Sequence, residues 1–146
     1  MDKITDDKAG KKAGLIAFPL EYAGPDTYAK AFEGTDYGLV LDDDGETGYL
    51  YVTTAGFQEV LDEMHLYNAG ESAPSSGERL YFVWNPALLK AGVYFKGRYQ
   101  AIVDFGASTA CCRGGNPDPD PSGWCRSSHR WDPRMLVGLT FGNIEE

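Results

Sequence analysis

Two β-type runs joined by a seven-residue acidic turn constrain this chain more than any other segment. Tyr37-Gly38-Leu39-Val40-Leu41 and Tyr49-Leu50-Tyr51-Val52-Thr53-Thr54 are rich in branched and aromatic residues, and Asp42-Asp43-Asp44-Gly45-Glu46-Thr47-Gly48 stands between them. Asp-Gly tolerates the positive φ angles of tight hairpin turns, and Gly48 suits a bulge. The spacing predicts an antiparallel hairpin over residues 38–53, with Leu39 and Leu41 on one face and Val40 on the other. The same alternation puts Tyr49 and Tyr51 on a common face.

A second hairpin is predicted over residues 93–105, where Lys96-Gly97-Arg98 separates Val93-Tyr94-Phe95 from the run Tyr99 to Phe105. The stretches Gly14 to Tyr22, Arg79 to Trp84 and Met135 to Phe141 read as further strands. Residues 23–35 hold Gly24-Pro25-Asp26 and suit a turn with a short helix or irregular connection. Residues 57–68 are ambiguous between helix and strand. Phe57, Val60, Leu61 and Met64 fall at helical spacing, while Met64-His65-Leu66-Tyr67 fits a strand. The preferred reading is a short helical turn feeding a strand from about Leu61. The fold class is therefore mainly β (or α+β with little helix): an antiparallel sheet folded as a sandwich or an open barrel. Residues 1–13, rich in Lys and Asp, read as a flexible arm, and 14–146 as a single globular domain.

Charge narrows the partners. The 146 residues carry a formal net charge of -9, where nucleic-acid binding calls for a basic stripe and anionic membranes call for cations. No apolar run reaches the roughly 18 residues of a membrane span. Met1 to Lys12 has no apolar leader core, so a cytoplasmic protein is expected. The three cysteines, Cys111, Cys112 and Cys125, read as free thiols of a reducing compartment.

No motif for catalysis stands out. Setting Gly45 at the sixth place of a calcium-binding EF loop puts Val40 at the first and Tyr51 at the twelfth, and neither can serve. Cys112, Cys125 and His129, with Cys111 alongside, match zinc by residue type, but only the Cys125 to His129 spacing is workable. Alternatives for these cysteines are free thiols and a Cys112–Cys125 disulfide. No metal or other cofactor is expected. Phosphate-binding glycine loops and nucleophile elbows are absent. The alternative is a small enzyme or metal-dependent site around Asp43, Glu46 and His65.

The unevenness of the charge says more. From Glu21 to Glu78 there are thirteen acids and one base, Lys30, whereas from Arg79 to Arg134 there are eight bases and four acids. If the two halves stay apart in the fold, an acidic face with aromatic neighbours results. Aromatic anchors within a charged rim are common anatomy of protein interfaces. The contact residues expected are Asp42, Asp43, Asp44, Glu46, Tyr49, Tyr51 and Asp62. The expected partner is a basic protein, foremost a bacterial toxin domain that this chain would block as an immunity or inhibitor protein. An accessory subunit of a larger assembly is the other non-enzymatic reading.

The string DDDGETGYLY, followed by LDEMHLYN and then YFVW, resembles the bacterial family of unknown function DUF2251. The matching positions run from Asp43 to Tyr49 and then include Tyr51, Leu61, Asp62, His65, Tyr67 and Asn68. The resemblance implies a bacterial origin and one compact domain, and it implies no activity.

Overall fold

The computed structural model describes residues 14–140, so the expected arm over 1–13 lies outside the described residues. Nine strands form there: β1 (Ile16–Glu21), β2 (Asp26–Ala31), β3 (Tyr37–Asp43), β4 (Thr47–Thr54), β5 (Val60–Asn68), β6 (Arg79–Asn85), β7 (Lys90–Phe95), β8 (Arg98–Asp104) and β9 (Thr109–Cys112). A four-stranded sheet has the order β2-β3-β4-β5 and a five-stranded sheet the order β1-β6-β7-β8-β9, all neighbours antiparallel. The result is a sandwich and not a closed barrel. No helix of the described residues is long and apolar enough to cross a membrane.

The hairpin forms as its sequence requires. β3 pairs β4 from Tyr37↔Thr54 to Asp43↔Gly48, and the register slips between Gly48 and Tyr49 where β4 meets β5. The Asp44 carboxylate accepts from the backbone N–H groups of Glu46 and Thr47, and Gly45 takes a φ of 95°. Leu39 and Leu41 point inward and are fully buried, as are Leu50 and Val52 opposite, while Val40 points out. In the second hairpin Lys96 and Gly97 form the tip, both with positive φ. Leu80, Phe82, Trp84, Val93 and Phe95 supply the opposing layer of the core. Burying each such side chain stabilises the fold by roughly 1.5–3 kcal/mol.

Three local expectations change. Residues 26–31 form a strand instead of a short helix or irregular connection, because Tyr28 alternates inward and the stretch pairs with β3. Residues 57–59 form no helical turn. Phe57 has a φ of 60°, which breaks the helical path, and the strand runs from Val60. Residues 135–140 form no strand. A short 3₁₀ turn (Pro133–Leu136), capped by the Asp132 side chain, begins a segment that lies across the outer face of the five-stranded sheet. There Trp131, Met135, Leu136 and Leu139 cover Val83, Tyr99, Ile102 and Cys111. Tyr99 and Asn85 donate to the carbonyls of Leu139 and Gly138, and the Lys90 ammonium donates to those of Met135 and Val137. These four carbonyls are thus satisfied by side chains, and the N–H groups of Met135, Val137 and Leu139 by turn bonds within the segment, not by a strand ladder. Phe141 lies outside the described residues.

Candidate functional site

The chain's charge division follows the sheets. Residues 26–68, which build the four-stranded sheet, hold ten acids and one base, and residues 79–112, which build β6 to β9, hold four bases and one acid. The lone base, Lys30, sets its ammonium 4.0 Å from the centre of the Phe18 ring of β1.

The outer face of the four-stranded sheet reads off the register. One row across it is Thr27, Asp42, Tyr49 and His65, and the next is Ala29, Val40, Tyr51 and Glu63. Tyr49 and Tyr51 are half-buried and stack on each other at 6.2 Å, and Tyr49 meets the His65 ring edge-on at 5.3 Å. Burial and the negative charges of Glu63, Asp42 and Asp44 push the Tyr51 phenol above its ordinary value. Asp44 and Glu46 are exposed at the hairpin tip beside this face.

Asp43 and Asp62, the other two residues of the expected contact set, point inward. Asp43 follows Leu39 and Leu41 on the buried side of β3, where its Oδ2 accepts the hydroxyls of Tyr22 at 2.5 Å and Tyr67 at 2.9 Å. Asp43 and His65 therefore occupy opposite faces of the sheet, and His65 bonds Asn68 at 2.9 Å.

Asp62 sits opposite Val52 on the inward side of β5. Its Oδ2 lies 2.7 Å from Nε2 of His129, whose ring is fully buried, and His129 Nδ1 bonds the carbonyl of Pro117. The thiol of Cys125 completes the group, and one donor atom each from Asp62, Cys125 and His129 lies within 4.8 Å of the others. Burial opposes charge on the imidazole, yet its bonds to Asp62, Cys125 and the Pro117 carbonyl hold it well above its ordinary range. Burial likewise opposes the Cys125 thiolate, but His129 and the hydrogen bonds to Ser127 outweigh it and lower the thiol. A cavity of about 400 Å³ between β5 and the 117–125 loop is lined by both Asp62 and Cys125, with Asp118, Asp120 and Trp124 around it.

Sequence spacing identified the Cys125 to His129 pair but not its third member. A usable signal existed: Asp62 falls in the inward register of an alternating strand, two residues before the buried Met64. An acid at such a position needs a buried partner. Cys112 points elsewhere, with its Sγ near the carbonyls of His65 and Asn116, and all three cysteines are free.

Residues 22–140 match a family model described as an uncharacterised protein conserved in bacteria (DUF2251). An uncharacterised protein of Haemophilus influenzae is 28% identical over 104 residues, which are 68% of this chain and 63% of that relative. The matched stretch thus spans less than two thirds of the relative's length. No solved structure matches the chain. With more than half of its length inside the family model, the chain belongs to the bacterial DUF2251 family.

Proposed function

We propose that this chain is a protein-binding domain whose contact surface is the outer face of the four-stranded sheet, and that it blocks a basic bacterial toxin domain as an immunity or inhibitor protein. The observation that carries the reading is the stacked pair Tyr49 and Tyr51, flanked on the same face by Asp42 and Glu63. The outer face of the five-stranded sheet is covered by the chain's own residues 131–139, whereas these two tyrosines remain half-exposed. Stacked aromatics supply rigid contact area, and the surrounding carboxylates steer a basic partner and fix its orientation. An acidic surface also complements the basic groove with which a nuclease holds its substrate.

The test pairs the chain with the basic products of neighbouring genes. Co-expression with such a product should restore growth where that product alone is toxic, and affinity should fall as salt is raised. Rescue that survives reversal of Asp42, Glu46 and Glu63 to Lys together with Tyr49→Ala would remove this face from the reading.

A further inference from the structure

A different observation, independent of the outer face, carries a second site. We propose that Asp62, Cys125 and His129 form a three-ligand zinc site whose fourth position opens into the cavity beside β5.

His129 Nδ1 faces a carbonyl and Nε2 faces a carboxylate, and both of these groups only accept hydrogen bonds. A neutral ring carries one N–H, so its remaining lone pair would point at an acceptor. A cation at Nε2 removes that conflict, and it can be a proton or a metal ion. The thiol of Cys125 in the same cluster favours the metal. Thiolate, imidazole and carboxylate are the three donor types that zinc takes, whereas calcium and magnesium take oxygen alone.

The support around the ligands fits as well. A ligating histidine usually donates its other N–H to a carbonyl or carboxylate, which fixes ring orientation, and Pro117 provides that carbonyl. Cys125 and His129 lie four positions apart on one loop, a workable knuckle spacing, and β5 holds Asp62 rigidly against them. Zinc needs its nitrogen and oxygen ligands about 3.3 Å apart in a tetrahedron with bonds of roughly 2.0–2.2 Å. The hydrogen-bonded separation is 2.7 Å, so a small rotation of the Asp62 carboxylate opens the position. Three protein ligands with an open fourth position distinguish exchangeable zinc centres from closed structural ones. Here the fourth position faces a cavity of about 400 Å³ whose lining also includes Asp118 and Asp120. Water or a small exchangeable ligand can enter there.

A Cys-His-Asp thiol nucleophile is the competing arrangement, and the two separate by experiment. The full chain, purified without chelator and dialysed against zinc, should retain one equivalent by elemental analysis. Cobalt(II) in place of zinc should give a thiolate-to-metal charge-transfer band. Cys125→Ser should abolish that band and weaken zinc at least about tenfold, whereas Cys112→Ser should leave both intact. If Cys125→Ser fails to fold, alkylation decides the matter in the unaltered chain, where zinc should slow iodoacetamide modification of Cys125 about tenfold or more. Absence of bound metal in the folded chain, a cobalt band that persists in Cys125→Ser, or alkylation at the same rate with and without zinc would each overturn the assignment.

Discussion

His129 Nε2 and Asp62 Oδ2 meet at 2.7 Å across 67 positions of sequence, with the histidine side chain fully buried and the aspartate side chain 5% exposed. Removing one member of a buried charged pair leaves the other without compensation, at a cost of roughly 3–5 kcal/mol. Asp62→Ala, measured by urea unfolding in excess chelator, should lose stability of that order. Asp62→Asn keeps an oxygen acceptor and should lose less. Equal stability of both variants and the unaltered chain would mean that the pair adds nothing to the fold.

A second buried carboxylate makes the protein sensitive to alkali. Asp43 accepts from the Tyr22 and Tyr67 hydroxyls. Burial first, and then Asp43, pushes the Tyr22 phenol up to about 12 from an ordinary 10.0, and Tyr67 moves in the same direction. A phenol whose folded pKa is raised contributes its full stability below the unfolded value of 10.0. That contribution is lost as pH climbs from there through about 12. Chemical denaturation at stepped pH should therefore show a fall that begins near 10. The fall should be shallower in Asp43→Asn, which keeps an acceptor but removes the charge. At neutral pH, Asp43→Ala should cost about 3 kcal/mol because two buried hydroxyls lose their acceptor.

Beside the bulge in β5, where Leu66 is passed over between Gly48↔Tyr67 and Tyr49↔His65, lies a close contact that substitution can expose. A Cβ at Gly48 would stand 2.1 Å from Cζ of Tyr67, inside the ring that covers it. Tyr67 is buried and bonded to Asp43, so the ring has little freedom to retreat. Gly48→Ala should destabilise by about 1–3 kcal/mol, with the loss visible in thermal melts. Gly56→Ala makes the control, since the nearest atoms there are 3.9 Å away on the Gln58 side chain. A Gly48→Ala melt that matches the control would show that the ring moves aside freely.

On the outer face, Asp42→Lys and Glu46→Lys should leave folding within about half a kcal/mol of the unaltered chain. With a basic partner in hand, they should slow association and flatten its salt dependence. Tyr49→Ala should instead speed dissociation, by about 2 kcal/mol if the ring anchors the complex. Part of any folding loss in that variant belongs to the Tyr51 stack, worth roughly 0.5–1.5 kcal/mol. Stopped-flow binding separates the two classes of effect.

The sequence by itself determined the strands whose information is local. Alternation of Leu39, Val40 and Leu41 assigned the two faces of β3, and Asp44-Gly45 placed the turn, because both follow from backbone geometry within a few residues. Residues 26–31 and 135–140 take conformations that their neighbours decide. Tyr28 becomes a strand residue by pairing with β3, and Met135 lies flat because Tyr99, Asn85 and Lys90 satisfy the carbonyls around it. The acidic composition of residues 21–78 is plain in the sequence, but only the topology decides that its 26–68 part forms one sheet. Alternation puts Asp43 on the face of Leu39 and Leu41 and Asp62 on that of Met64, away from the expected contact face, but tertiary structure alone brought Asp62 to Cys125 and His129. Strand periodicity says which side of a sheet an acid faces. Which distant loop closes over that side depends on long-range packing, for which short-range spacing carries no signal.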